Sequence, residues 1–271
     1  MSDIVLSSGV RSNLLQLQQT SDLIATTQTK LATGKRVNSA LDNPNNFFTA
    51  QGLDNRASDL NNLLDAMSTA INTIQAANNG ISAITKLVQS AQSLASQAQQ
   101  TSDTTVRASL SSQFDTIRAQ IDTLAADSGF NGKNLLNGDD LTVTLNEAST
   151  STVTISGVTD TTAGALGVAV AANSWAATAD IDAASTNLTA ALTTLRSQAQ
   201  TLGSSLSTVQ IRQDFTKAMI NTLQAGSASL TLADSNQEGA NLLALQTRQQ
   251  LSTTALSLAS QADQNVLRLF Q

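Results

Sequence analysis

The architecture of this chain follows from residues 60–98, whose sequence is LNNLLDAMSTAINTIQAANNGISAITKLVQSAQSLASQA. Apolar or small residues recur here at alternating intervals of three and four positions: Leu60, Leu63, Met67, Ala70, Ile74, Ala77, Ile81, Ile84, Val88, Ala91, Ala95 and Ala98. This spacing is typical of the apolar face of a coiled-coil helix. At a rise of about 1.5 Å per residue, the helix would be roughly 60 Å long. We therefore expect an elongated molecule.

Three further stretches carry the same spacing. The first consists of Val10, Leu14, Leu17, Ser21, Ile24, Gln28 and Leu31. The second consists of Leu188, Leu192, Leu195, Ala199, Leu202, Leu206, Val209, Gln213, Thr216, Ile220 and Leu223. The third consists of Leu242, Leu245, Gln249, Ser252, Leu256, Ala259, Asp263, Val266 and Phe270. Because each predicted helix is apolar on one side only, it must pack against helices from the other end of the chain or from neighbouring copies.

The breaks between these helices carry recognisable signals. Gly34 ends the first helix and suits a left-handed cap. The only proline, Pro44, lies in an Asn-rich segment, residues 37–46, which we interpret as a structured linker. The long helix is expected from about residue 54 to residue 99, and Asp103 is a candidate N-cap for a shorter amphipathic helix. The apolar face of that helix consists of Val106, Leu110, Phe114, Ile117, Ile121 and Leu124.

The period changes in the middle of the chain. Leu141, Val143 and Leu145 alternate with polar residues, as do Val153 and Ile155, and a turn-rich connection separates the two runs. This alternation predicts a β-hairpin. The predicted fold is therefore mainly α: an elongated antiparallel coiled-coil helical bundle with a small β-hairpin and two helical termini.

The charge balance excludes some partners. The formal net charge is -6, and Lys35 with Arg36 is the only tight basic pair of note. Binding to nucleic acid or to an anionic membrane would require clustered Lys and Arg, so we expect neither. No stretch of eighteen or more apolar residues predicts a membrane span, and residues 1–7 lack the features of a cleaved signal peptide.

Composition also argues against catalysis. The chain contains no His, Cys or Tyr, which removes imidazole and thiolate nucleophile–base pairs and the usual zinc ligands. The nearest carboxylate cluster is Asp139 and Asp140, with Glu147 further on, and it could bind calcium or act as an acid/base pair. Its spacing follows no calcium-loop pattern, so we favour a solvated turn. We predict no catalytic, metal or cofactor site.

Three motifs carry a family resemblance. Residues 30–42, KLATGKRVNSALD, resemble the flagellin signature in which a basic residue, Leu, a small pair and Gly precede an Asn-Ser-Ala-x-Asp turn. Residues 129–136, GFNGKNLL, resemble the segment that ends the amino-terminal half of flagellins. Residues 264–270, QNVLRLF, are similar to the flagellin tail. The order of the motifs also matches, and the resemblance leaves out only residues 139–179, about where many flagellins insert outer domains. The chain thus resembles a short flagellin.

This resemblance implies a structural subunit that self-polymerises into the bacterial flagellar filament for motility, with terminal helices forming an inner tube and the middle helices forming a shell. The implied domains are an inner-tube helix (1–34), a linker (35–54), amino-terminal shell rods (55–130), a hairpin and surface connection (131–176), a carboxyl-terminal shell rod (177–226) and a second inner-tube helix (227–271).

We expect burial of the terminal apolar residues between subunits. The candidate assembly residues are Val10, Leu14, Leu17, Ile24, Leu31, Leu242, Leu245, Leu256, Val266, Leu269 and Phe270. The residues that carry the family motifs are Gly34, Asn38, Ser39, Asp42, Phe130, Asn131, Gly132, Leu135, Gln264 and Asn265.

The resemblance further implies an extracellular filament, exported through the flagellar secretion apparatus without a cleaved signal. Its implied partners are further copies of itself, an export chaperone, hook-junction proteins and cap proteins. Recognition by the innate flagellin receptor is not expected, because residues 88–95 lack the basic residue and the Glu-Leu-Ala segment that recognised flagellins carry. The alternative functions are a hook–filament junction protein and a secreted helical adhesin or translocator.

Overall fold

A computed structural model of the chain describes residues 8–269, with the side chains of Asp263 and residues 266–269 excepted. Its elements, in chain order, are α1 (Ser8–Thr33), α2 (Pro44–Gln99), α3 (Thr104–Asp127), β1 (Leu141–Thr144), β2 (Thr152–Ile155), a short 3-10 helix (Ala172–Trp175), α4 (Thr178–Thr231) and α5 (Ser235–Leu269). The predicted mainly α fold with one hairpin is confirmed. The start of the chain, for which we expect no signal peptide, lies outside the described residues.

The apolar stripe on α2 forms the core that its spacing predicts. Every stripe residue from Leu60 to Ala98 is buried except Leu63, which is half-buried. The stripe on α4 is likewise buried from Leu188 to Leu223, apart from three half-buried positions. Both coiled-coil predictions are therefore confirmed.

Side-chain hydrogen bonds fix the direction in which α2 and α4 pair. Gln213 Nε2 donates to Ser68 Oγ at 2.9 Å, and Gln92 Nε2 donates to Thr189 Oγ1 at 3.3 Å. Near the end of α2, Gln99 Nε2 donates to Asp182 Oδ1 at 2.8 Å. As the position advances along α2, the partner retreats along α4 by the same number of residues, so these two helices are antiparallel.

The start of α2 differs from the sequence expectation. The helix begins at Pro44, inside the segment that we interpret as a linker, and not near residue 54. Asn43 Oδ1 accepts a hydrogen bond from Asn46 N at 3.0 Å, which is an N-cap contact. Proline is well suited to the first helical position because its fixed φ matches the helix and its missing N–H would have no partner there. The proline therefore starts the helix.

Helix α3 follows a short break and packs against the chain that leads into α4. Asp103 is its N-cap, as predicted, and Oδ1 accepts from Thr105 N at 2.8 Å. Phe114 and Ile121 are fully buried, whereas Val106, at the start of the predicted apolar face, is exposed. The rings of Phe114 and Trp175, which lies in the 3-10 helix, pack in a tilted arrangement with centroids 5.0 Å apart.

The hairpin has the predicted strands. β1 and β2 pair antiparallel, with Leu141 opposite Ile155 and Val143 opposite Val153. The carboxylates near it act as turn acceptors and as an ion-pair partner: Asp139 accepts from Asn134 N, Asp140 accepts from Gly157 N, and Glu147 pairs with Arg56. The guanidinium of Arg56 lowers the pKa of Glu147.

The chain divides into two compact units. The central unit comprises residues 56–221 and contains the large apolar core. The terminal unit comprises residues up to 55 and from 222 onward, of which 8–55 and 222–269 are described. Within the described residues, no helix is both long enough and apolar enough to cross a lipid bilayer.

Candidate functional site

The terminal unit pairs the two helices that lie near the ends of the chain. Helix α1 packs against α5. Where α1 ends, Gly34 adopts a φ of 68°, the left-handed conformation expected of this residue. Ala233 N then donates to Gly34 O at 2.9 Å, and Arg36 N donates to Thr231 O at 2.8 Å. Because these bonds tie the exit of α1 to the entry of α5, the two helices run antiparallel.

The turn after α1 is organised by a single carboxylate. Asp42 Oδ2 accepts from the backbone N–H groups of Asn38 and Ser39, each at 2.9 Å. These hydrogen bonds, with that of Asn38 first, lower the pKa of Asp42. Three of the predicted motif residues thus act together to close this turn.

The entry to α5 has its own cap. Asp234 Oδ1 accepts from Asn236 N at 2.9 Å and from Gln237 N at 3.2 Å, which satisfies two N–H groups at the helix start. One turn later, Glu238 pairs with Lys30 of α1 at 3.7 Å. The two side chains are 31% and 15% exposed, and an ion pair that still reaches solvent contributes about 1 kcal/mol or less. The cap and the contacts of the preceding turn therefore position α5 more strongly than the ion pair does.

The stripe predicted on α5 is the side that faces α1. Its described members from Leu242 to Ala259 are all half-buried, and no described side chain of α5 is fully buried. The predicted assembly residues Leu242, Leu245 and Leu256 belong to this face. Only the backbone of Val266 and Leu269 is described, and Phe270 lies outside the described residues. The contact with α1 therefore leaves the described apolar side chains of α5 only partly covered.

On α1 the buried face is rotated from the one that we expect. Val10 is buried, and Leu17 and Ile24 are half-buried, as the predicted stripe requires. The other buried residues of α1 are Thr20 and Thr27, which the stripe does not include. Ser21 and Gln28 are exposed instead. Thr20 is accommodated because its hydroxyl donates to Gln16 O at 2.8 Å within the helix. Leu14 and Leu31 remain 38% and 39% exposed.

Several large apolar side chains of the pair point to solvent. We call them the outer leucines, and they are Leu14, Leu15, Leu23 and Leu31 of α1 with Leu243, Leu251 and Leu258 of α5. Their exposed fractions run from 38% to 67%. An open groove of about 350 Å³ lies beside them, between Leu23 of α1 and Leu245 of α5. Exposed apolar surface of this extent on paired helices indicates an interaction surface.

Few charges interrupt this surface. Among the 26 residues of α1 only Arg11, Asp22 and Lys30 are charged. Within the part of the chain that the structure describes, no group of three or more acidic residues is placed to hold a metal ion. The groove between the two helices is also lined by Lys30, Glu238 and Arg248, so charged groups lie beside the outer leucines there.

The motif at residues 130–136 forms a tight turn in the central unit. Phe130 and Lys133 exchange backbone hydrogen bonds at 2.8 and 3.0 Å, and the two residues between them both have positive φ, 49° for Asn131 and 76° for Gly132. Such a pair is typical of a type I′ turn. Leu135 is buried, whereas Gln264 and Asn265, in α5, are exposed. The motif at residues 130–136 therefore forms a local turn, and the structure does not assign the motif residues to a common site.

The sequence analysis missed the outer leucines of α5, Leu15 and Leu23 of α1, and one buried polar pair. Leu242-Leu243 and Leu14-Leu15 are doublets, and two adjacent leucines on a helix lie on different faces, which could have indicated a second apolar face. Asp160 and Gln198, which are hydrogen-bonded in the central unit, carry no such signal.

Comparison with known proteins matches both halves of the chain. The model of the bacterial flagellin N-terminal helical region matches residues 8–140, and that of the bacterial flagellin C-terminal helical region matches residues 177–270. Flagellin A of Rhizobium meliloti (strain 1021) is 42% identical over 65 residues, which cover 24% of this chain and 16% of that protein. Flagellin C of the same strain is 38% identical over 65 residues, which cover 24% of this chain and 20% of that protein.

A flagellin of Brucella melitensis is 37% identical over 65 residues, covering 24% of this chain and 23% of that protein. The match thus spans less than a quarter of the length of each of these relatives. A crystal structure of Bacillus cereus flagellin has a TM-score of 0.48 at 23% identity, covering 57% of this chain and 88% of that chain. Since the two flagellin family models together match well over half of its residues, the chain belongs to the bacterial flagellin family.

Proposed function

We propose that this chain is a subunit that self-polymerises into an extracellular flagellar filament for motility, and that assembly buries the apolar surface of the terminal unit. Flagellins are structural proteins, so family membership confirms the prediction that the chain is not an enzyme. In the proposed filament α1 and α5 form the inner tube, and the central unit forms the shell.

The outer leucines are the observation that carries the proposal. They are exposed on both helices of the pair, on faces that the α1–α5 contact does not cover. Full burial of a leucine side chain is worth about 1.5–3 kcal/mol relative to exposure, so seven of them repeated in every subunit provide a large driving force for association. The half-buried α5 stripe adds apolar area that a neighbouring copy would cover.

We also propose the partners and the location that the resemblance implies. An export chaperone would bind the amphipathic helix within residues 242–270 by accepting its apolar face in a groove. Hook-junction and cap proteins would contact the ends of the polymer. Export would proceed through the flagellar secretion apparatus without a cleaved signal.

Two other functions use the same helices. A hook–filament junction protein would share the terminal helices but would form short assemblies only. A secreted adhesin or translocator would bind a host partner and would not elongate. Electron microscopy of the purified protein after seeding separates the three, because only a filament subunit grows long tubes.

The proposal predicts that a charge on the outer surface abolishes polymerisation. Leu251→Asp replaces a side chain that is 67% exposed in the described chain, so the monomer should keep its helical content by circular dichroism. Burying the new carboxylate between copies would cost several kcal/mol, and the variant should form no filaments in a seeded sedimentation assay.

Ala148→Asp is the matched control. It introduces the same charge at an exposed position in the connection between β1 and β2, which belongs to the central unit. This variant should polymerise like the unmodified protein. Normal filaments from Leu251→Asp would contradict the proposed assembly surface.

A further inference from the structure

The central unit contains a buried polar pair whose hydrogen bonding is incomplete. Asp160 lies in the segment that follows β2, has no solvent exposure, and accepts a hydrogen bond at Oδ1 from Gln198 Nε2 of α4 at 2.7 Å. The other oxygens of the same two side chains, Asp160 Oδ2 and Gln198 Oε1, have no hydrogen-bond partner and no access to solvent. The two unpaired atoms therefore belong to one pair of residues that is already in contact.

A proton on Asp160 Oδ2 would pair both atoms, because the resulting O–H group could donate to Gln198 Oε1. A carboxylate has only acceptors, so an ionised Asp160 can accept from the Gln198 amide and offers nothing to Gln198 Oε1. A carboxylic acid has one O–H donor, and this donor matches the unpaired amide oxygen. Leaving two buried acceptors unpaired would cost about 1–3 kcal/mol each.

The surroundings of Asp160 favour its neutral form. A small cavity of about 100 Å³ beside it is lined mainly by Ile81, Leu135, Leu136, Val158 and Leu202, with the hydroxyls of Ser156, Ser197 and Thr201. No other residue that lines this cavity is titratable. Burial raises the pKa of Asp160 to about 6, although the Gln198 hydrogen bond opposes this shift.

The charged residues on the neighbouring elements do not compensate Asp160. On α3, Asp122 accepts from Thr162 N at 2.6 Å and from Thr162 Oγ1 at 2.9 Å. On α4, Arg196 is exposed. Before β1, Asp139 and Asp140 accept from Asn134 N and Gly157 N. Among the described residues no cation pairs with Asp160, and the three carboxylates named on its flanks are engaged elsewhere.

We propose that Asp160 is protonated in the folded chain below neutral pH and donates this proton from Oδ2 to Gln198 Oε1, which closes a two-bond acid–amide ring. The ring fastens the segment of residues 157–171 to α4. On ionisation, one proton passes to solvent, the Oδ2–Oε1 hydrogen bond is lost, and the amide N–H bond to Oδ1 remains. The pair is thus a pH-sensitive latch within the central unit.

The sign of the pH effect follows from the raised pKa. A group whose folded pKa is raised contributes stability that is fully present below its ordinary pKa, 3.8, and is lost as the pH rises through about 6. The latch should therefore be closed in mildly acidic solution and open in alkaline solution.

Asp160→Asn tests the latch because asparagine can form the same ring without a titrating proton. Its Nδ2 can donate to Gln198 Oε1 and its Oδ1 can accept from Gln198 Nε2 at every pH. For the full chain kept unassembled, the melting temperature of Asp160→Asn should exceed that of the unmodified protein at pH 8, and this difference should shrink at pH 5. The exposed Asp59→Asn change should give no such pH-dependent difference.

A spectroscopic measurement on the unmodified protein tests the proton directly. With ¹³C-labelled aspartate, one carboxyl resonance should titrate with a midpoint near pH 6, and it should be missing from the Asp160→Asn spectrum. If every aspartate of the unmodified protein titrates near the ordinary value of 3.8, the proposal is wrong. It is equally wrong if Asp160→Asn folds but melts below the unmodified protein at pH 8.

Discussion

The fold shifts the pKa values of individual carboxyl groups in this chain in opposite directions. Asp42 lies in an exposed turn and is held by backbone N–H groups, so its pKa is lowered, whereas burial raises that of Asp160. The Asp42 turn could be predicted because it belongs to a local motif of five residues. The pairing of Asp160 with Gln198 could not, because 38 residues separate them and neither lies in a periodic pattern.

The Asp42 turn predicts a loss of stability in acid. A group with a lowered pKa contributes stability that is present above its ordinary value of 3.8 and is lost as the pH falls through the folded pKa. Asp42→Asn should therefore lower the stability of the terminal unit at pH 7 and have little effect at pH 2. Urea unfolding followed by circular dichroism measures this. Asp22→Asn, at an exposed site on α1, should change stability little at either pH, and equal effects of the two changes would refute the role of Asp42.

At the scale of whole helices, spacing predicted which face is buried when that face is mainly apolar. The stripes of α2 and α4 are buried nearly as predicted, since Ile, Leu and Ala leave little choice of face. On α1, the predicted stripe includes the polar residues Ser21 and Gln28, whereas the buried polar residues proved to be Thr20 and Thr27. Thr20 and Ser21 are similarly polar, so the sequence of α1 alone does not predict which of them is buried. The packing of the partner helix decides it.

The position of Gly80 within α2 gives a packing test. A Cβ added there would fall 2.7 Å from Leu136 Cδ1 and would collide with Ser128 Oγ. Overpacking of this kind costs about 1–3 kcal/mol, which exceeds the gain of about 0.5–1 kcal/mol from replacing a helical glycine by alanine. Gly80→Ala should therefore lower the unfolding free energy of the central unit in a urea titration.

Gly203→Ala serves as the control for that test. Gly203 lies in α4 with nothing within 4 Å of an added Cβ, so the change should raise stability by about 0.5–1 kcal/mol. A stabilised Gly80→Ala protein would show that the contact of α2 with Ser128 and Leu136 is looser than described.

At the scale of the whole molecule, the sequence predicted the helical class and the family more readily than the assembly surface. The motifs around Gly34 and Phe130 are local and could be recognised directly, and both form tight turns. Exposed leucines such as Leu251 and Leu258 could not be assigned to the outside before the α1–α5 contact was known. The surface that we propose for polymerisation is therefore a property of the helix pair and not of either helix alone.

The central claim is that α1 and α5 become fully buried only when copies assemble. Amide hydrogen exchange of the unassembled chain and of the seeded polymer tests it most directly. We predict that residues 8–33 and 235–269 exchange much more slowly in the polymer than in the free chain, while residues 60–98 are well protected in both. Equal protection of α1 and α5 in the two states, or a folded chain that never elongates from seeds, would contradict the account.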